Sequence, residues 1–461
     1  MVTQESFADL EGFIANLMQE TKIPGLSVMV LKKDEIIYAR GFGARSLEGN
    51  LPATENTLFG IGSITKSFTC LAIQILQEQR KLNIEDPIEK YLPVTIDAKE
   101  EPIRIKHLMS HTSGLPDLGM ASVLICRHSV LTKEKMIPFS SDEDVYLHIN
   151  NAAQELFSPP DKRFFYFNSG FLLLGKIIEK VTNQDLGTVF KEMILQRLKM
   201  NRTTFEKEDF EKDNDHMTAY YLTPEGKLKP TNHPFDKFIY AAGGLLSSVK
   251  ELGNYLQLYL NEGTFGGENV LSKAKIAQLY EPYIERPLES FFGKESYGFG
   301  WAITENFFRE RLISHGGSTG VSSGYLAFLP EKKLACAVLG NVGNCQGGLV
   351  AQLFLAALLG KEALKEHPML QYETKIGPLL GEYQTYKGIN QLKVFKEGLT
   401  LKIKFQEEGQ PPLTLVPERL TEEEYAFWTP QGPLKFPINF FRDQKTGKVD
   451  LIIERSIYHK K

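Results

Sequence analysis

Three short stretches hold side chains that could carry out acyl transfer if the fold brought them together: Ser63-Ile64-Thr65-Lys66, Tyr166-Phe167-Asn168 and His315-Gly316-Gly317-Ser318. A serine hydroxyl is a weak nucleophile until a neighbouring base takes its proton. Lys66, three residues along the same helix, lies on the face that carries Ser63. A lysine can act as that base only when it is largely neutral, which requires burial or a nearby cation. A helix start adds positive potential and unpaired backbone N–H groups beside the serine. Tyr166 can relay a proton between serine and leaving group, and Asn168 offers an amide to orient Lys66 or the substrate. The paired glycines after His315 let the backbone approach a ligand, so the N–H groups of Ser63 and Ser318 can form an oxyanion hole, with His315 as a wall of the cleft.

Ser-x-x-Lys recurs at Ser247/Lys250 and Ser272/Lys275, so the spacing alone does not select a site; order and context select the first occurrence. His111, in Leu108-Met109-Ser110-His111-Thr112-Ser113-Gly114-Leu115, invites a Ser-His-Asp reading, but no Gly-x-Ser-x-Gly elbow is present, and a structural role is expected for it. Tyr240-Ala241-Ala242-Gly243-Gly244 and Tyr297-Gly298-Phe299-Gly300-Trp301 are read equally as cleft lining and as packing corners.

The elements that must position these residues follow from periodicity. Helical spacing predicts a helix over Ser6 to Met18, closed by Pro24-Gly25. A hairpin follows, Leu26 to Leu31 against Ile36 to Ala39, with Gly41 and Gly43 ending its second strand. Ser63 to Gln77 reads as a helix apolar on nearly every side, hence central. Residues 80–240 read as mainly helical with long loops, including a helix over Gly170 to Val181. A second hairpin, Tyr325 to Leu329 against Leu334 to Leu339, precedes an apolar helix near Val350 to Leu359. Hairpins at both ends predict an antiparallel sheet assembled from the two ends of the domain, an α+β architecture. After Lys365 the period changes to two: Leu399, Leu401, Ile403 and Phe405 alternate with polar residues, and Leu434 to Phe441 and Lys448 to Glu454 make further strands, which suggests a small β-barrel or sandwich. The expected domains are therefore residues 1–365 and 366–461.

Composition narrows the function classes. The 53 basic and 57 acidic residues of the 461 leave a net charge of -4, so nothing points to nucleic acid or an anionic membrane as partner. The first residues lack the basic start and apolar run of a secretion signal, no apolar stretch has the length of a membrane span, and the four cysteines show no metal-ligand spacing. A cytoplasmic protein without metal or cofactor is expected.

On these residues the chain resembles the serine β-lactamase and penicillin-binding protein superfamily, in particular its branch of class C-type esterases, D-aminopeptidases and related peptidases. The three motifs, the Leu108 to Leu115 segment and Ala242-Gly243-Gly244 fall in the family's order over residues 5–360. The resemblance implies an acyl-enzyme hydrolase with Ser63 as nucleophile, Lys66 and Tyr166 as the proton-transfer pair, Asn168 as a positioning amide, the strand motif at His315-Gly316-Gly317, and Ser318 completing the oxyanion hole. It implies a β-lactamase-like sheet flanked by helices. The tail resembles the lipocalin-like domain of some archaeal self-compartmentalising serine peptidases, which implies a homo-oligomer whose barrels restrict entry to short peptides. His315 stands where β-lactam-hydrolysing relatives carry a lysine, and imidazole is mostly neutral near pH 7, which argues against antibiotic hydrolysis. The expected substrate is a small molecule or short peptide, with D-residues preferred. The competing readings are a carboxylesterase of small acyl esters, a β-lactam-binding protein and a non-catalytic scaffold.

Overall fold

In the computed structural model, which describes residues 7–96, 101–128, 139–406, 411–421 and 424–461, the apolar run after Gly25 forms β1 (Gly25–Lys32) and turns back into β2 (Glu35–Ser46). Helix α1 (Ala8–Thr21) precedes them, burying Leu10, Ile14 and Met18 at a spacing of four; Ser6, expected in this helix, lies outside the described residues. It closes on Lys22, which takes the left-handed conformation at φ 58°, before Pro24 is reached. Gly41 and Gly43 do not end β2. A Cβ at Gly41 would lie 2.0 Å from the Ala53 carbonyl oxygen, so this glycine admits a crossing segment while the strand runs on to Ser46.

The chain divides into two units, Met1–Lys361 and Glu362–Lys461. In the first, β1 and β2 join β3 (Leu51–Pro52), β4 (Ile284–Ser290), β5 (Gly293–Tyr297), β6 (Ala302–Phe307), β7 (Glu310–Ser318), β8 (Ser323–Leu329) and β9 (Leu334–Gly340) in one antiparallel sheet of order β4-β5-β6-β7-β8-β9-β1-β2-β3. The two ends of the unit meet where β1 pairs β9, Leu26 opposite Gly340 through Lys32 opposite Leu334. Both strands are buried along nearly their whole length, so both faces must be covered. Helix α4 (Val249–Leu260) covers one face, its Gly253 lying against Met29. Helix α5 (Gly347–Leu358) covers the other, with Phe354 against Tyr38, whose partner in the ladder is Val30. The strands β4 to β7 escape the periodicity reading because β4 exposes most of its residues and offers no apolar alternation. Between the sheet's two halves lie α2 (Thr65–Glu78), α3 (Asn168–Thr182) and several short helices.

The second unit opens with the short helices Ala363–Glu366 and Pro368–Ile376 and continues as nine antiparallel strands: β10 (Gly381–Gln384), β11 (Gln391–Glu397), β12 (Thr400–Phe405), β13 (Leu413–Thr414), β14 (Val416–Leu420), β15 (Glu424–Gln431), β16 (Leu434–Arg442), β17 (Val449–Ile453) and β18 (Ser456–Lys460). Their order, β13-β12-β11-β10-β18-β17-β16-β15-β14, places at the two edges strands separated in the chain by Leu415 alone, which makes a nearly closed barrel. Its interior holds Tyr383, Leu392, Ile403, Phe427 and Phe440. Among the described residues no helix is long and apolar enough to cross a membrane.

Candidate active site

Ser63 sits in a single 3₁₀ turn, Gly62–Ile64, that feeds directly into α2. Gly62 holds φ at +53°, and a Cβ there would come 2.5 Å from the backbone nitrogen of Ser318. From β7, a Cβ at Gly317 would lie 2.0 Å from the Ile61 carbonyl oxygen and 2.9 Å from the Ser63 nitrogen. Two backbones therefore touch beside the serine, and glycine at both positions is what permits it. Gly316 is different: its Cβ would meet only the Tyr325 ring, at an ordinary 3.5 Å. Beyond Ser314, β7 has no partner on its β6 side, so His315 to Ser318 form an open strand edge facing the serine turn.

Helix α2 is buried without interruption from Thr65 to Leu76, so its polar side chains must find partners inside the protein. Thr65 donates to the Gly62 carbonyl (2.8 Å), Ser67 to Ile64 (2.8 Å) and Thr69 to Ala241 (2.7 Å). Lys66 is fully buried. Its Nζ lies 3.0 Å from Ser63 Oγ, 2.9 Å from Asn168 Oδ1 and 2.7 Å from the Ala242 carbonyl oxygen. Two of these three groups can only accept, so a neutral amine gives them its two N–H bonds and keeps its lone pair for the Ser63 hydroxyl proton. Burial pushes the Lys66 amine down to about 7, against the weaker opposing effects of Asp117 and Cys70.

Tyr166 reaches the same serine. The Lys66 Nζ lies 4.9 Å from the centre of the Tyr166 ring and 5.3 Å from that of Phe171. Burial raises the phenol well above the ordinary tyrosine range, while its hydrogen bond with Ser63 and the charge of Arg286 work in the opposite sense. It is thus a protonated donor at neutral pH. Asn168, the first residue of α3, turns its oxygen to Lys66 and not toward open solvent.

His315 lies in the strand β7, where the resemblance places its strand motif. Both ring nitrogens are occupied: Nδ1 donates to the Gly316 carbonyl at 2.7 Å, and Nε2 accepts from the Tyr297 hydroxyl at 2.9 Å. Burial first, then the charges of Lys66 and Arg286, press its pKa down to about 3, so the ring is neutral. The Ser318 hydroxyl donates to the Gly343 carbonyl at 2.8 Å.

The structure thus gathers Ser63, Lys66, Tyr166 and Asn168 around one nitrogen and sets His315, Gly316, Gly317 and Ser318 along the adjoining strand edge. The sequence reading did not find the carbonyl of Ala242, because a backbone acceptor leaves no side-chain signature. It also did not find Arg286, whose guanidinium pairs with Glu295 at 2.7 Å and lies over Phe164 and Tyr297 at 5.5 and 6.0 Å. Nothing in the residues around Arg286 signals its place.

Residues 10–348 match the family model described as Beta-lactamase, and residues 364–459 match the model described as Pab87 octamerisation domain. Protein flp of Staphylococcus aureus (strain MW2) is 26% identical over 350 residues, 74% of this chain and 64% of that protein, so the chain spans a little under two thirds of this relative. Penicillin-binding protein 4* of Bacillus subtilis (strain 168) is 25% identical over 323 residues, 67% of this chain and 66% of that protein. Among solved structures, the octameric penicillin-binding protein homologue from Pyrococcus abyssi superposes with a TM-score of 0.92 at 38% identity, covering 98% of this chain and 99% of its own. EstCE1, a hydrolase with promiscuous acyltransferase activity, shares the fold of the first unit at a TM-score of 0.61 and 22% identity, covering 76% of this chain and 98% of its own.

Proposed function

The chain belongs to the Beta-lactamase family of serine hydrolases, and on that premise we propose that it cleaves short peptides through a seryl acyl-enzyme. The observation that carries this reading is the Lys66 amine, held by Asn168 and Ala242 with its nitrogen 3.0 Å from Ser63 Oγ. Ser63 Oγ attacks the scissile carbonyl as its proton passes to Lys66 Nζ. The backbone N–H groups of Ser63, in the serine turn, and of Ser318, at the strand edge, receive the oxyanion. When the tetrahedral species collapses, the C–N bond breaks, the Tyr166 phenol gives its proton to the departing nitrogen, and the Lys66 ammonium replaces it. A water then adds to the ester carbonyl, its proton returns through the same pair, and Ser63 leaves as the free hydroxyl.

A fluorophosphonate probe, with the adduct mapped by mass spectrometry, tests the nucleophile; the label is expected on Ser63 and lost in Ser63→Ala. Aminoacyl p-nitroanilides of both D and L configuration, run beside p-nitrophenyl acyl esters, test the substrate class. Ester turnover with no amide cleavage would replace the peptidase by a carboxylesterase that uses the same residues. An unlabelled Ser63 would remove the hydrolase reading and favour a scaffold.

Assembly belongs to the same proposal. The match of residues 364–459 to an octamerisation domain, and of nearly the whole chain to an octameric homologue, support a homo-oligomer built through the barrel. One end of that barrel carries its most exposed apolar side chains. Tyr386 and Ile389 lie in the turn after β10, Leu434 at the tip of the β15–β16 hairpin and Ile457 beside the β17–β18 turn. The pairings Gln384 with His459, Ile453 with Ser456 and Gln431 with Leu434 bring these turns to the same end.

A further inference from the structure

His111 takes no part in the reaction just described, yet its surroundings are costly to build. It is fully buried and holds φ at 61°, a left-handed conformation unusual for any residue but glycine. Its carbonyl oxygen accepts the N–H of Phe165 at 2.8 Å, and its Nδ1 accepts the N–H of Phe167 at 2.9 Å. Both backbone N–H groups that flank Tyr166 therefore hang on one residue. The imidazole also lies against the Tyr166 ring, centroids 4.2 Å apart and planes tilted by 33°.

The segment around His111 brackets the loop that leads to Tyr166 over its whole length. Phe157 donates its N–H to the Gly114 carbonyl at 3.0 Å, and Asp161 donates to that of Thr112 at 2.9 Å. The Asp161 carboxylate in turn meets His107 Nε2 and the Thr112 hydroxyl, each at 3.1 Å. Because Nδ1 of His111 accepts, the proton of the neutral ring sits on Nε2, which is buried without a hydrogen-bond partner among the described residues. Packing alone would be served better by an apolar side chain at this position.

We infer that His111 is a positioning residue: it clamps the backbone on both sides of Tyr166 and faces its ring, and so fixes the phenol against Ser63. It is not the base, since one ring nitrogen is taken by Phe167 and the other is enclosed. This role rests on the reading of Tyr166 as the acid that protonates the leaving group.

The test is leaving-group dependence. Both esters form the same butyryl-enzyme, so the rates are compared as kcat/KM, which reports acylation alone: expulsion of ethoxide from ethyl butyrate needs a proton, whereas expulsion of p-nitrophenolate from p-nitrophenyl butyrate does not. Tyr166→Phe is expected to slow the ethyl ester by about 10²-fold or more relative to the p-nitrophenyl ester. His111→Phe keeps a ring but loses the acceptor; it is expected to slow the ethyl ester at least about tenfold while the p-nitrophenyl ester stays within about threefold. His111→Asn places an oxygen where Nδ1 stood and tolerates the left-handed backbone, so it is expected to recover most of the ethyl-ester rate. Added to Tyr166→Phe, the His111→Phe change is expected to cost nothing further. Thermal unfolding of each variant is followed alongside, and His111→Ala takes the place of His111→Phe should the latter not fold. Equal slowing of both esters, no rescue by asparagine, or a full second loss in the Tyr166→Phe background overturns the inference. A wild-type protein that turns over neither these esters nor the aminoacyl p-nitroanilides removes the proposed reaction itself and this role with it; an active wild type matched by His111→Phe on every substrate it turns over removes only the role of His111.

Discussion

The hydroxyl of Tyr297 donates to Nε2 of the buried His315 across 2.9 Å, while Nδ1 of the same ring is spent on the Gly316 carbonyl at 2.7 Å. The imidazole is therefore neutral, with no nitrogen left for a ligand, and its pKa of about 3 keeps it so across the whole physiological range. A strand edge of this kind offers no cation to a substrate carboxylate. Benzylpenicillin, whose carboxylate needs such a partner, is expected to be hydrolysed no faster than in buffer alone, measured by loss of β-lactam absorbance. Turnover at a rate comparable to that of the esters would contradict this account of His315.

In the proposed reaction the Lys66 amine sets the pH dependence. Its pKa is lowered on folding from 10.5 to about 7 by burial, and the working form is the neutral one. Ester hydrolysis, as kcat/KM, is expected to rise about tenfold per pH unit below 7 and to level off above it. His315 and His111 are both pushed far below their ordinary range and add no second rise between pH 5 and 9, and the raised phenol of Tyr166 adds no fall. Lys66→Ala removes the proposed base and should lower acylation by about 10²- to 10⁴-fold. A rate flat with pH from 5 to 8 would sink the assignment.

The same shift bears on stability, with the opposite beneficiary. Above 10.5 the amine is neutral both folded and unfolded; between 10.5 and about 7 only the unfolded chain takes up a proton, so the fold loses stability as pH falls through this window and no more below it. The loss is on the order of a few kcal/mol. Denaturant titrations of wild type and Lys66→Met are expected to show the wild type gaining on the variant between pH 7 and 10 and running parallel to it from pH 5 to 7. Parallel curves over the whole range would mean that Lys66 keeps an ordinary pKa.

How much of this was legible in the residues depends on what kind of group did the work. Lys66 is readable because a helix fixes its distance to Ser63, and Tyr166 and Asn168 because a phenol and an amide just before a helix are placed by its start. The carbonyl of Ala242 is as close to Lys66 as any side chain, yet every residue owns a carbonyl. Glycine was ambiguous in the same way: Gly317 marks a strand pressed on another backbone, and Gly41 and Gly43 mark one too, although a glycine pair after a strand equally suggests its end. The strands from Ile284 to Ser318 stayed hidden because the outermost of them is exposed on both faces, so neither alternation nor an apolar run betrays it.

Adjacent glycines of β7 should respond differently to one methyl group. Gly317→Ala drives its Cβ into the Ile61 carbonyl and toward the Ser63 nitrogen, both backbone atoms that cannot swing aside. It is expected to destabilise by about 1–3 kcal/mol and to displace the serine turn, with loss of Ser63 labelling by a fluorophosphonate. Gly316→Ala meets only the Tyr325 ring at 3.5 Å and is expected to remain within about 0.5 kcal/mol of wild type with labelling intact. Equal behaviour of the two variants would mean that β7 does not abut the serine turn.

Exposure at the end of the barrel supplies the last expectation. Tyr386 is 73% and Ile389 76% exposed, in a turn whose Lys387 and Gly388 both sit at positive φ, so this pair is held outward by the backbone. Leu434 and Ile457 add apolar surface at the same end, and such surface is ordinarily covered by a partner. If copies of this chain meet there, Tyr386→Ser with Ile389→Ser should reduce the mass found by light scattering from that of an oligomer toward that of one chain, with the chain still folded by circular dichroism at ambient temperature. An oligomer of unchanged mass in this double variant would move the interface elsewhere on the chain, whereas a wild-type protein of single-chain mass would remove the homo-oligomer altogether.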